Sequence, residues 1–290
     1  MADGLPYRSV HAITQQADGA ILVGTGRGLF LYDGQTFEEI PFPHKTGSRH
    51  IFDFRQMQDG SFAFVNAEKQ LYKYDEGKIE HIDLSKLLEG ERIKKVHRHG
   101  ERLGYLLIET NRRLLKFDWE RREIVYQIPL NNLLFITALD QEGALWTVTR
   151  DTISVYTLDG TIIHQYAGEY TKHRLHSQFF LSKNGTLFFW AGIKSTLLEV
   201  KLVDGEIRLH ELAQFPPKLS TFFMGEGKDD ELLIGTNEGL WIFEEGRIRN
   251  LFKDQTFYAA CRDREANYWL AVYHAKLLFI PNMEVATFNQ

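Results

Sequence analysis

Two histidine pairs are the first feature of this chain whose spacing could support chemistry. His97 and His99, in "VHRHGE", could bind a metal ion from one side of a strand, and "KHRLH" offers His173 and His176. Zinc sites in proteins use three or four protein ligands, and the spacing fixes no third ligand for either pair. His97 and His99 also lead into a polar turn at Gly100, where solvated side chains are expected. The sequence therefore predicts neither a metal ion nor a cofactor.

Catalytic motifs give an equally negative result. The nucleophile motif G-x-S-x-G, the zinc motif H-E-x-x-H and the EF-hand loop do not occur in the sequence. The carboxylate pairs Asp229-Asp230 and Glu244-Glu245 fall at predicted tight turns, where solvation is their expected role. No catalytic residue is predicted.

A glycine-rich segment, "ILVGTGRGLFLYDG" at residues 21–34, is the third candidate. A phosphate-binding loop needs such glycines at the start of a helix. Here Gly28 is followed by apolar and aromatic residues and then by Asp33-Gly34, which is a strong hairpin signal. "LLIGTNEGLWIFEEG", at residues 232–246, repeats the pattern without the middle glycine. Because a structural unit recurs along a chain and a phosphate loop does not, the segment indicates two strands and a turn.

The turn that precedes this segment recurs at intervals of 40 to 43 residues. It ends at Gly19, Gly60, Gly100, Gly143 and Gly185. Alignment of "ELLIGT" and "NYWLAVY" with "AILVGT" places a sixth turn at residues 228–230 and a seventh at 265–266. Each copy holds four short runs rich in β-branched and aromatic residues, bounded by Gly, Asp and Asn, which is typical of strands.

Four antiparallel strands per copy and a period near forty predict an all-β fold, the seven-bladed β-propeller. We expect one domain over residues 1–290. The predicted blades cover about 10–43, 51–84, 93–129, 133–168, 176–213, 221–253 and 257–289.

The repeat also gives detailed structural predictions. Gly24 and Gly235 are expected where an aromatic side chain of the next blade approaches the backbone, and Gly28 and Gly239 are expected to have positive φ. The segment "MEVATF", at 283–288, can supply the fourth strand of the last blade. The ring should then close by contact between the first and last blades.

Composition limits the classes of partner. The 290 residues carry a formal net charge of −5 with both signs interspersed, so nucleic acid is not an expected partner. The single Cys261 excludes an internal disulfide. No apolar run is long enough for a membrane segment. The expectation is a cytoplasmic protein if Met1 is the native start, or otherwise a domain excised from a longer one.

The repeat consists of an apolar strand, then "DG", then a segment such as "ILVGTGRGLFLYDG". It resembles the repeat of the two-component regulator propeller family. The lead-in "DGLPYRSVHAI", at residues 3–13, is also similar to the start of that family's first blade. The resemblance implies a periplasmic sensor domain of a bacterial hybrid histidine kinase or a related regulator, with a homodimer or another protein partner through the parent receptor. The sequence contains no second propeller, three-Tyr domain or kinase motif.

The segments before the predicted inner strands surround the mouth of the channel in a propeller. Five of the seven carry Arg or Lys although the chain is acidic, which predicts a local positive potential. We expect a small solute or a glycan to bind there. The predicted ligand-binding residues are Arg8, Arg49, His50, Arg92, Asn132, Arg174, Lys218 and Tyr258.

Three functions fit this fold, because propellers host all three. The first is a ligand-sensing module, the second a protein interaction scaffold, and the third a lyase or hydrolase. An enzyme needs a converging acid and base, and Glu91 is the one carboxylate among the predicted mouth residues. The sequence therefore favours a non-catalytic binding module.

Overall fold

The computed structural model consists almost entirely of strands. The residues that it describes are 5–7, 9–43, 47–99, 104–129, 136–140, 144–148, 152–157, 161–171, 177–192, 194–273 and 277–281. Within them, the one helix is α1 (Ser85–Leu88), and no helix is long and apolar enough to cross a membrane.

The strands form seven antiparallel sheets, each of which pairs its strands in chain order. Blade 1 contains β1 (Val10–Gln15), β2 (Ile21–Thr25), β3 (Gly28–Tyr32) and β4 (Phe37–Ile40). Blade 2 contains β5 (Ile51–Gln56), β6 (Phe62–Asn66), β7 (Leu71–Asp75) and β8 (Lys78–Ile82). Blade 3 contains β9 (Ile93–His99), β10 (Tyr105–Thr110), β11 (Arg113–Asp118) and β12 (Glu123–Pro129).

The remaining blades follow the same order. Blade 4 contains β13 (Ile136–Leu139), β14 (Leu145–Val148), β15 (Ile153–Tyr156) and β16 (Ile162–Tyr166). Blade 5 contains β17 (Gln178–Leu181), β18 (Leu187–Ala191), β19 (Thr196–Val203) and β20 (Glu206–Gln214). Blade 6 contains β21 (Thr221–Glu226), β22 (Leu232–Thr236), β23 (Gly239–Glu244) and β24 (Arg247–Leu251). Blade 7 contains β25 (Phe257–Arg262), β26 (Tyr268–Val272) and β27 (Leu277–Ile280).

The predicted fold, an all-β propeller of seven blades, is confirmed. Every residue of β2 and of β22 is buried, whereas β16 is largely exposed. The core therefore lies between the blades: Leu22 and Leu29 of blade 1 pack in one cluster with Phe54 and Phe64 of blade 2. A blade cannot cover its own apolar faces, so each needs its two neighbours.

Contacts between blades 1 and 7 close the ring. Val10 and Val23 pack in one cluster with Trp269 and Ala271. The carbonyl oxygen of Ser9 accepts a hydrogen bond from the amide of Gly26, 3.0 Å away. Ser9 therefore pairs within blade 1 and not with blade 7. The sheet of blade 7 has three strands in the described part of the chain, and the fourth strand predicted at 283–288 lies outside it.

The turns that defined the repeat share one backbone conformation. Gly19, Gly60 and Gly185 have φ of +98°, +83° and +90°. Asp230 and Ala266, in the sixth and seventh turns, have φ of +69° and +67°. The two turns without glycine thus adopt the conformation that glycine favours elsewhere. Gly100 and Gly143 lie outside the described residues.

Replacement of Ala266 by glycine is expected to stabilise the protein by about 1 kcal/mol, because a left-handed backbone strains a residue that carries a Cβ atom. The free energy of unfolding in urea measures the change. Ala271→Gly is the control, since Ala271 is fully buried within β26 and should lose stability. A destabilised Ala266→Gly variant would contradict the assigned turn conformation.

The glycine predictions are confirmed at three of four positions. Gly28 and Gly239 have φ of +150° and +121°. A Cβ atom on Gly24 would lie 3.0 Å from the ring of Phe54 in the next blade, as predicted. At Gly235 the prediction was wrong about the aromatic ring. A Cβ atom there would meet Phe223 of the same blade, and the next blade contributes a backbone carbonyl.

Candidate functional site

Two sets of loops share one face of the ring, which we call the mouth face. In each of five blades, the turn between the second and third strands donates a backbone hydrogen bond to the residue just before the inner strand. The donor and acceptor pairs are Gly26–Ser9, Ala67–His50, Asn111–Arg92, Asn237–Ser220 and Tyr273–Thr256, at 2.8 to 3.2 Å. The predicted mouth segments and the turns between the second and third strands therefore lie together.

Each of five inner strands has a bulge directly after its first residue at the mouth face. In β1 the register passes from Val10 to Ala12, which leaves out His11. The residues that the bulges leave unpaired are His11, Phe52 with Asp53, Lys94, Phe222 and Tyr258. A bulge adds one residue to one strand of a pair and re-aims its side chain, and bulges are frequent beside binding sites.

Four of these bulges bring aromatic rings together across neighbouring blades. His11 of blade 1 lies 5.6 Å from Phe52 of blade 2 and 5.7 Å from Tyr258 of blade 7, measured between ring centroids. Tyr258 lies 4.8 Å from Phe222 of blade 6. Blades 2, 1, 7 and 6 thus share a continuous aromatic surface.

Two further rings extend this surface. His50 stacks on Phe52 with centroids 4.1 Å apart and lies 4.5 Å from His11. Tyr273 lies edge-on to Tyr258 at 5.3 Å. We call the six rings the aromatic row: His11, His50, Phe52, Phe222, Tyr258 and Tyr273. Phe52 is 47% and Tyr273 is 50% exposed, so the row is open to a ligand.

The pKa values of both histidines in the row are lowered, which favours their neutral forms. Burial, with a smaller contribution from the adjacent His50, lowers the pKa of His11 to about 4. Burial also lowers the pKa of His50. The Nε2 atom of His11 lies 2.8 Å from the hydroxyl oxygen of Ser9, and this hydrogen bond orients the imidazole ring. The row therefore presents uncharged ring faces, and the ammonium of Lys69 lies 5.9 Å from the centroid of the Phe52 ring.

The predicted binding residues divide into three groups. His50 and Tyr258 lie in the aromatic row. Arg49, Arg92 and Lys218 are exposed, and Arg49 pairs with Glu39 at 3.2 Å, which offsets its charge. Arg8, Asn132 and Arg174 lie outside the described residues, as does the KHRLH segment that holds His173 and His176. The full basic frame stays a prediction.

Glu91, the carboxylate at the predicted mouth, is buried in an internal network. Its side chain is 6% exposed, and Oε1 lies 2.7 Å from Nε of Arg113. The hydroxyl of Thr110 donates to Oε2. This arrangement occupies both oxygens, which leaves Glu91 holding the turn between β10 and β11.

Sequence reasoning missed four members of the row. Tyr273 lies directly after β26, and the other three, His11, Phe52 and Phe222, lie at bulge positions. It considered the residues before each inner strand, whereas the bulges project the residue one position into the strand. A signal was present, because alignment of the inner strands places large rings at this position in four copies. Among the described residues, no three His, Cys, Asp or Glu side chains form a group able to hold a metal ion.

A cleft of about 440 Å³ lies away from the mouth face, between blades 7 and 1. Tyr32, Trp269 and Phe279 form its aromatic walls. Phe279 belongs to β27, which pairs with β26 alone in the described part of the chain.

Solved structures of low sequence identity share this fold. One is the extracellular domain of a protein described as a hybrid two-component system from B. thetaiotaomicron, with a TM-score of 0.74 and 15% identity over 99% of this chain and 40% of that one. A second is the extracellular domain of a one-component system from the same organism, with a TM-score of 0.70 and 15% identity over 95% and 39%. The chain spans about two fifths of each.

An enzyme has the same fold. A catalytically inactive virginiamycin B lyase from Staphylococcus aureus, solved with quinupristin, has a TM-score of 0.75 and 16% identity over 96% of this chain and 97% of that one. No protein-family model matches the sequence, and a search of curated proteins finds no match. The resemblance to two-component regulator propellers is confirmed at the level of the fold.

Proposed function

We propose that this propeller is a ligand-sensing module that binds a small solute or a glycan on its mouth face. The observation that carries the proposal is the aromatic row, in which bulges of four blades bring neutral rings into contact. Exposed contiguous apolar surface marks binding sites in soluble proteins. Flat ring faces with polar edges suit a ligand with its own flat apolar faces, such as a sugar ring.

The structural neighbours support a sensor. The extracellular domains of two regulatory systems share the fold and contain a propeller of this length within a longer chain. We propose that the module lies in the periplasm, in a receptor whose other domains carry the signal, with a second copy or another protein as partner.

The lyase neighbours raise an enzyme as the competing function. Acid–base catalysis needs a proton donor and a proton acceptor beside the reacting atoms, with pKa values near the working pH. Glu91 is enclosed by Arg113 and Thr110, and His11 has a pKa of about 4. These observations favour binding without catalysis.

Exposed apolar side chains at the outer edge favour a scaffold as the second candidate function. Ile162, Ile163 and Leu202 are 41 to 48% exposed on blades 4 and 5. The outer strands β16 and β20 of these blades are in contact. A protein partner could use this edge, which lies on different blades from the aromatic row.

The test is calorimetric titration with a panel of neutral and acidic oligosaccharides. Tyr258→Ala should weaken every interaction at least tenfold, because Tyr258 is the ring that joins blades 6 and 1 and its loss interrupts the stacking surface. Phe52→Ala should act similarly at the end of the row.

Val125→Ala is the matched control, since Val125 is exposed to the same degree as Phe52 but lies on the outer strand of blade 3. It should leave every affinity unchanged. Saccharides that bind wild type and Tyr258→Ala equally would refute the row as the binding surface. A panel with no bound member would overturn the saccharide-sensing proposal and leave the scaffold.

A further inference from the structure

The aromatic row ends in blade 2, and the next blade, blade 3, has a lysine instead of an aromatic ring at its bulge position. The bulge residue of β9 is Lys94, at the place that His11, Phe222 and Tyr258 occupy in their own blades. Lys95 follows it and pairs in register with Glu109. The ammonium groups of Lys94 and Lys95 thus follow the uncharged rings of the aromatic row on the next blade.

Lys95, the residue directly after the bulge, is exposed to solvent. Desolvation, and after it repulsion from Arg55 of blade 2, lowers the pKa of its ammonium group.

The nearby carboxylates are already occupied or buried. Asp53, in the bulge of blade 2, pairs with Arg55 at 2.5 Å between Oδ2 and Nη2. Glu109 is 4% exposed, and burial raises the pKa of its carboxyl. Glu109 attracts Lys95, but the two side chains form no ion pair in the structure.

Arg92 adds a third cation two residues earlier on the mouth face. The side chains of Arg92, Lys94 and Lys95 make no ion pair or hydrogen bond with any described residue. Arg49 and Arg113, by contrast, pair with Glu39 and Glu91. Blade 3 thus carries three cations within four residues that have no ion pair among the described residues, and its inner strand β9 contacts β5, the strand that contains Phe52.

We propose that Arg92, Lys94 and Lys95 form an anion subsite, so that the ligand of the mouth face is an acidic saccharide. Its ring stacks on the aromatic row, and its carboxylate or sulfate group lies against the lysines of blade 3. This inference rests on the proposed function and specifies the chemical class of its ligand. Charge-assisted hydrogen bonds from ammonium groups to such anions are stronger than neutral ones.

The test compares each acidic oligosaccharide with its neutral counterpart, such as an oligogalacturonide and its methyl ester. A sulfated saccharide in the same panel distinguishes the two anions. Wild type should bind the acidic form at least about tenfold more tightly than the neutral form. Lys95→Met should remove most of that ratio while leaving the affinity for the neutral form unchanged, and Lys94→Met should act in the same direction.

Lys201→Met is the charge-matched control, because Lys201 pairs with Glu199 on β19, away from the inner strands. It should preserve the ratio. Equal binding of acidic and neutral forms by wild type, or a ratio that survives both lysine substitutions, overturns the anion subsite while the aromatic row stands. A panel in which nothing binds overturns the proposed function and this inference together.

Discussion

Gly235→Ala is expected to destabilise the propeller by about 3 kcal/mol, in the upper part of the range for overpacked cores. A Cβ atom on Gly235 would overlap the ring of Phe223 and lie 2.8 Å from the carbonyl oxygen of Phe257. Rotation of the ring can relieve the first contact. The second involves the backbone of the next inner strand, which must move as a unit.

Gly24 provides the matched comparison, since it holds the same place in blade 1. Its added Cβ atom would lie 2.9 Å from a methyl group of Ile51 and 3.0 Å from Phe54, both of which are side chains. Gly24→Ala should therefore cost less, about 1 to 2 kcal/mol. Urea unfolding of both variants gives the difference.

A double variant, Gly235→Ala with Phe223→Leu, separates the two contacts. The smaller side chain removes the ring overlap and leaves the clash with the carbonyl of Phe257, so the double variant should recover only part of the loss. Two effects that simply add would show that Phe223 does not limit the site. A Gly235→Ala variant as stable as wild type would contradict the close approach of blades 6 and 7.

The fold could be predicted because the repeat is local in sequence. In each copy, short runs of β-branched and aromatic residues indicate the strands, and glycine indicates the turns. These signals recur so often that a copy without one of them can still be recognised. Even the seventh turn, where Ala266 stands in place of the glycine, was located by alignment of the neighbouring strand, and Ala266 has a positive φ like the glycines of the other turns. The ring then follows from the need of each blade for two partners.

The site could be predicted only in part, because its chemistry depends on contacts between blades. His50 and Tyr258 were found from their place near the inner strands. His11 was missed because a bulge shifts the register by one residue, and this shift depends on the pairing partner. The salt bridge between Arg49 and Glu39 joins residues ten positions apart, and its geometry depends on how β4 leads into the next blade.

Asp263→Ala is expected to cost about 3 kcal/mol of stability, because it leaves three donors without their acceptor. The Oδ1 atom of Asp263 accepts from the amide of Asn267 at 2.8 Å, and Oδ2 accepts from Nε1 of Trp269 at 2.9 Å and from Nδ2 of Asn267 at 3.1 Å. Asp263 is 8% and Trp269 is 5% exposed, so water cannot easily replace the carboxylate. Buried donors that lose a charged acceptor carry the full desolvation penalty.

Blade 4 repeats this arrangement and so supplies an internal comparison. Asp140 accepts from the amide of Ala144 at 2.8 Å and from Nε1 of Trp146 at 2.7 Å. Both aspartates lie six residues before a tryptophan at the start of the second strand. Asp140→Ala should therefore produce a similar but smaller loss, since two donors and not three are left unpaired.

Asp263→Asn distinguishes the hydrogen bonds from side-chain volume. Asparagine has nearly the same shape but can offer only one oxygen, so it keeps one acceptor and turns an NH₂ group toward another donor. We expect about half of the loss seen with alanine. In an Asp263→Asn, Trp269→Phe double variant the indole donor is gone, and the two substitutions should cost less together than the sum of their separate effects. Strict additivity, measured by urea unfolding, would show that the carboxylate and the indole do not act as a unit.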